Sequence, residues 1–173
     1  ETLSLTTMAM VDDQFQMVML KGIDSAYPLR GTLKTEQHTA PSQLAENQVI
    51  ADPQLQGLTG LKLGDKLVLG RKTFEVKDWL SGQDVFQSTF SQFAPQVVMD
   101  LSLVQDLGLI GPGSRVNYEL GFAGNQAQLE AWQTFLSAQQ VQHWQIISAR
   151  APTPDLEKSL DTAWLFLDLS ALA

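Results

Sequence analysis

Cysteine is absent from the 173 residues. That excludes disulfides, thiolate nucleophiles, Cys-ligated zinc and iron–sulfur clusters together. Histidine is nearly absent too. His38 and His143 lie more than a hundred positions apart, so the short ligand spacings of zinc sites are missing and no metal is expected. Basic charge is scarce, with 11 Lys and Arg against 19 Asp and Glu and a net charge of -8. Binding a phosphate backbone or an anionic lipid surface needs clustered Lys and Arg, so nucleic acid is excluded as a partner class. No apolar run reaches the ~18–20 residues that span a bilayer. The opening Glu1-Thr2-Leu3-Ser4 has neither Met nor a basic stretch, which reads as the start of a processed or excised piece.

What is present is a foldable composition. Hydrophobic residues make up 44% and charged residues 17%, which places the chain outside the disordered class. Residues 2–11 read as a strand, Asp12-Asp13 as a turn, and the largely apolar Phe15 to Ile23 as a second strand, together a hairpin. Tyr27-Pro28-Leu29-Arg30-Gly31 reads as a rigid structural corner with Tyr27 and Leu29 pointing inward. The polar stretch 35–47 reads as a loop and a lobe boundary. A second β unit follows. Asp52 caps a short helix, Gly70-Arg71 joins two strands, and Phe74 and Val76 alternate with Glu75 and Lys77. Residues 96–99 read as a strand, and Asp100 or Ser102 caps the helix after it. Residues 115–123 read as a strand, Asn125 as the cap of a helix to about Gln139, and 144–148 as a further strand. A last helix starts at Asp155, with Leu156, Leu160, Trp164 and Leu167 on one stripe.

Catalytic patterns are missing. Neither phosphate-binding glycine motif occurs. Gly111-Pro112-Gly113-Ser114-Arg115 lacks the flanking glycines of a nucleophile elbow and reads as a turn feeding a strand. The aspartates sit mostly at turns and element ends, where a short acceptor caps backbone N–H groups. Core packing is expected for Trp79, Trp132, Trp144 and Trp164. No enzyme activity and no cofactor are expected.

Several segments, in order, resemble the YbbP-type permeases of the FtsX/MacB-like ABC transporter superfamily. Val18 to Gly31, containing Tyr27-Pro28-Leu29-Arg30-Gly31, resembles their V-K-A/G-V-D-x-x-Y-P-L-R-G stretch. Leu55 to Gly70, Phe74-Glu75-Val76 and Phe93 to Met99 resemble the segments that follow. Leu109 to Tyr118, with Gly113-Ser114-Arg115, resembles their L-I-x-x-G-S-R-V-x-Y segment.

The resemblance implies an α+β MacB-like periplasmic core. Its membrane-proximal α/β Porter lobe would comprise residues 1–40 and 109–173. An inserted β-rich Sabre lobe would comprise residues 41–108 and pack mainly within itself. The implied setting is the periplasmic side of a bacterial inner membrane, with the domain tethered between two membrane helices and a hydrophobic run following Ala173. The implied work is non-catalytic transmission of motion driven by a cytoplasmic ABC ATPase subunit. A lipid-related substrate and a lysophospholipase or thioesterase partner are implied by association. A stand-alone periplasmic binding or adaptor module is the alternative.

Overall fold

The computed structural model describes residues 1–81, 94–139 and 144–147. The chain divides into two compact units, Glu1–Ala123 and Gly124–Ala173.

The first unit is built on seven strands: β1 (Thr2–Val11), β2 (Gln14–Ile23), β3 (Gln48–Ala51), β4 (Lys66–Leu69), β5 (Lys72–Trp79), β6 (Gln96–Asp100) and β7 (Val116–Glu119). β1 and β2 pair antiparallel along their whole length, from Thr2 opposite Ile23 to Val11 opposite Gln14. The two-residue turn leaves Asp12 at φ 50, a conformation that short polar side chains tolerate. β2 then pairs parallel with β6, β6 antiparallel with β3, β3 parallel with β5, β5 antiparallel with β4, and β4 returns antiparallel to β1. Those pairings close six strands into a barrel. β7 lies outside the ring, on the stretch of β1 that β4 leaves free.

Alternation fixes what the barrel encloses. Leu3, Leu5, Ala9 and Val11 of β1 point inward. They meet Val18 and Leu20 of β2, Leu67 and Leu69 of β4, Phe74 and Val76 of β5, and Val97 and Met99 of β6. Leu55 of α1 (Gln54–Thr59) and Val104 of α2 (Leu101–Val104) join the same core. Asp100 Oδ1 accepts from the Ser102 amide at 2.8 Å, the cap that its position predicts, whereas Asp52, whose Oδ1 accepts from the Gln54 amide at 2.8 Å, stands one residue ahead of the Pro53 N-cap of α1. Gly22 must be small, since a methyl group there would stand 2.6 Å from Val104 Cγ2.

A second, smaller cluster lies on the outer face. Ile23, Ile50, Leu80 and Val98 are covered there by Tyr27, Leu33 and Leu44 of the long β2–β3 connection. Asp78, fully buried, anchors that connection. Its carboxylate accepts from the amides of Gln37 and Thr39, both at 3.1 Å, and from the Trp79 amide at 2.7 Å.

This topology overturns three expectations. Residues 41–108 do not pack mainly within themselves, because β6 runs through the same sheet beside β2 and β4 pairs with β1. The polar 35–47 stretch is a strap bound to the barrel through Asp78 and a bridge from Thr35 to Leu80, not a boundary. The strand expected over 115–123 is only four residues long. β7 runs antiparallel to β1 and reaches the end of its partner at the Thr2–Glu119 pair, and Leu120 and Phe122 beyond it are exposed.

In the second unit, α3 (Gln126–Ala138) starts where expected. Asn125 and Gln128 form a reciprocal capping box, with the Gln128 amide donating to Asn125 Oδ1 at 2.9 Å. Residues 144–147 belong to no strand, so no strand–helix–strand unit forms among the described residues. Trp79 is core, whereas Trp132 and Trp144 are exposed, contrary to expectation. Trp132 packs edge-to-face on Phe135 at 5.7 Å. The expected terminal helix, with Trp164, lies outside the described residues.

Candidate functional site

The C-terminal end of β2 places Lys21 on the outer face of the barrel, where the neighbouring outward side chains are Ile23 and Val98. Lys21 is 6% exposed. The chain turns at Asp24-Ser25-Ala26 and brings Tyr27 back over it. Lys21 Nζ donates to Tyr27 Oη at 3.2 Å and lies 4.8 Å from the ring centroid. Burial pushes the Lys21 ammonium below the usual lysine range, and the carboxylate of Glu119 opposes that shift.

Glu119 arrives from β7. Its Oε2 accepts from Thr2 Oγ1 at 3.1 Å and its Oε1 from Asn117 Nδ2 at 3.1 Å. Beyond it, Gly121 lies under Leu29; a methyl group on Gly121 would stand 2.7 Å from Leu29 Cδ1. Thr2, Lys21, Tyr27, Leu29, Glu119 and Gly121 therefore gather around the point where β7 leaves the barrel.

The expected motif residues flank this same strand. In the corner, Tyr27 and Pro28 are half-buried, while Leu29, Arg30 and Gly31 are exposed. The expectation that Leu29 points into the core is corrected: it is 47% exposed and covers Gly121 instead. Tyr27 does pack on the outer apolar cluster. Gly113, Ser114 and Arg115 lie at the other end of β7. Gly113 is left-handed at φ 90. Ser114 Oγ accepts from the Gly111 amide and donates to the Leu109 carbonyl, both at 2.9 Å, so the hydroxyl ties the loop. Arg115 lines a shallow groove of about 460 Å³ with Ser4, Thr6, Met19 and Asn117. The two motif segments do not converge. They bracket a four-residue strand about 13 Å long.

Lys21, Thr2 and Glu119 were not among the residues singled out from the sequence. The available signal was Lys21, the one charged residue in the otherwise apolar and polar-uncharged run Phe15 to Ile23. Glu119 carries no such mark. Among the described residues no group of three or more His, Asp or Glu side chains could hold a metal, and no helix is long and apolar enough to cross a membrane. The arrangement binds strand to barrel; it does not assemble a nucleophile with a base.

No family model matches the chain. It is 29% identical over 170 residues to the uncharacterized ABC transporter permease YbbP of Escherichia coli strain K12, a match covering 98% of this chain and 21% of that protein. The chain thus spans about a fifth of the length of the curated relative it matches. Its fold is that of the periplasmic region of MacB from Actinobacillus actinomycetemcomitans. That structure has a TM-score of 0.50 and 19% identity, covering 80% of this chain and 65% of that one. The extracellular domain of the noncanonic ABC-type transporter YknZ from Gram-positive bacteria superposes with a TM-score of 0.42 at 15% identity, over 61% of this chain and 57% of that one. The resemblance carried by the Tyr-Pro-Leu-Arg-Gly and Gly-Ser-Arg-Val-x-Tyr segments is borne out across the chain.

Proposed function

We propose that this chain is the extracytoplasmic domain of an ABC transporter permease, set on the periplasmic side of a bacterial inner membrane. It does no chemistry itself and passes motion driven by a cytoplasmic ATPase subunit to a periplasmic substrate or partner. The observation that carries this reading is the match to YbbP over nearly the whole chain, in which this chain corresponds to a fifth of a permease. The site's composition supports it, because its polar groups hold structural elements together instead of presenting a reactive centre. Motion transmission requires two states with different contacts, and a closed barrel carrying one short outer strand supplies an element that can have them. The lipid-related substrate and the hydrolase partner belong to the proposal alone.

The test is made in the full-length permease with its ATPase subunit. Spin labels on the barrel and on α3 should report different distance distributions with ATP bound and after ATP removal. Identical distributions in the two states would sink the transmission role. Esterase, peptidase or ATPase turnover by the isolated chain, lost on changing one Asp or Ser, would replace it with an enzymatic one.

A further inference from the structure

We propose that β7 is a detachable coupling strand, able to leave β1 without opening the barrel and held in place by the outward cluster of Glu119, Thr2 and Lys21. The use of such a strand rests on the transmitter reading above; its detachability does not.

The argument starts from the edge of β1. One edge is fully occupied by β2, over all ten residues. The other edge is divided: Ala9 and Met10 pair with β4, and Thr2 to Leu5 pair with β7. The ring of six strands is complete through the β4 contact. Removing β7 breaks four residue pairs and no pairing inside the ring. What β7 covers is mostly not core, since Asn117, Tyr118 and Glu119 are exposed, with Tyr118 at 60%. Only Val116 packs against the barrel's apolar interior cluster. Short strands with exposed side chains and few buried contacts open at the low-energy end of local unfolding.

Position makes this opening consequential. β7 is the last strand of the first unit, and the chain passes from it through 120–123 into Asn125 and α3. Along the chain, β7 is the first strand met on going back from residue 123. Glu119 is the last residue of β7. Its two oxygens are taken by Thr2 of the barrel and Asn117 of β7 itself, and its negative charge favours the charged form of the buried Lys21. Lys21 is in turn fixed beneath Tyr27, so the cluster joins β7 to the Tyr-Pro-Leu-Arg-Gly corner.

The experiment is peptide-resolved hydrogen exchange on the 173-residue chain. Residues 116–119 should exchange at least about tenfold faster than β5 and β6. Glu119→Gln should accelerate 116–119 by about threefold or more and leave β5 and β6 unchanged. In a Lys21→Met background that acceleration should shrink to near nothing. The chain has no native cysteine, so an oxidised pair of Ser4→Cys and Asn117→Cys, opposite each other in the β1–β7 register, can pin the strand. Pinning should slow 116–119 alone. Protection of 116–119 equal to that of β5 would overturn detachability. So would acceleration of β5 and β6 together with 116–119 in Glu119→Gln. An undiminished Glu119→Gln effect in Lys21→Met would remove Lys21 from the cluster. Failure of the spin-label test with these results intact would reject the transmitter reading and keep the strand.

Discussion

Gly70 faces the Leu107 carbonyl so closely that a methyl group built on its Cα would stand 2.2 Å from that oxygen. The β4–β5 turn is thus seated on the helical turn that follows α2. The Arg71 amide donates to the same carbonyl at 3.1 Å, and the Arg71 guanidinium lies across Gly108, which is left-handed at φ 68. Two glycines let two turns meet backbone to backbone.

Gly70→Ala should therefore destabilise the chain by about 3 kcal/mol, from a left-handed φ of 57 combined with a backbone clash that no rotamer relieves. Urea unfolding measures it. A midpoint within error of wild type would show that the two turns separate freely.

Asp78 should govern acid stability. Burial alone would push its carboxyl up. Hydrogen bonds from Thr39 and Thr35 and from the Gln37 and Thr39 amides outweigh that and hold it below the usual carboxylate range. A depressed folded-state pKa gives stability that is present above the unfolded value of about 3.9 and lost as pH falls through the folded one. Asp78→Asn should lower stability at pH 7 and flatten the loss below about pH 4. Melting curves from pH 7 to pH 2.5 check both; an unchanged acid limb would show that other carboxylates control it.

Tyr27 and Leu29 should behave oppositely despite being two residues apart. Tyr27 is half-buried on Ile23, Ile50, Leu80 and Val98, so Tyr27→Ala should cost about 2 kcal/mol, short of the loss for a fully buried ring. Leu29→Ala should stay within about 0.5 kcal/mol, as expected for an exposed position. Paired thermal melts decide it, and equal losses would contradict the geometry.

Lys21 should cost stability while charged. Desolvation lowers its folded-state pKa, so the unfolded chain binds the extra proton in the window below the usual lysine value of about 10.4. Stability from this group rises as pH rises through that window. Lys21→Met should melt no lower than wild type at pH 7 and should lose the alkaline rise. A melting temperature several degrees lower at pH 7 would make the Tyr27 hydrogen bond the dominant contribution.

Local structure was largely readable. Asp12-Asp13 between two apolar strands, Asp52 and Asp100 ahead of helices, Asn125 as a helix cap, and Gly70-Arg71 between alternating runs are short-range signals whose physics lies within a few residues. The candidate site was half-readable. The corner at 27–31 and the loop at 113–115 stood out as motifs, but that they bracket β7, and that Leu29 covers Gly121, follows from β1 holding β7 in register.

By itself, the sequence determined the hairpin, the turns, the caps at Asp100 and Asn125 and the inward face of β5, because alternation and capping depend only on near neighbours. Only the tertiary structure decided which strands meet. Alternation says that Val97 and Met99 share a face, not that β6 lies parallel to β2, some seventy-five residues earlier in the chain. The same ignorance of partners hid the barrel's closure and suggested a separate lobe. It also hid the burial of Lys21 and Asp78. Each is a charged residue on the outward face of a strand, where period two predicts water. Each is buried because the connection after β2 folds back and supplies a phenol to one and backbone amides to the other.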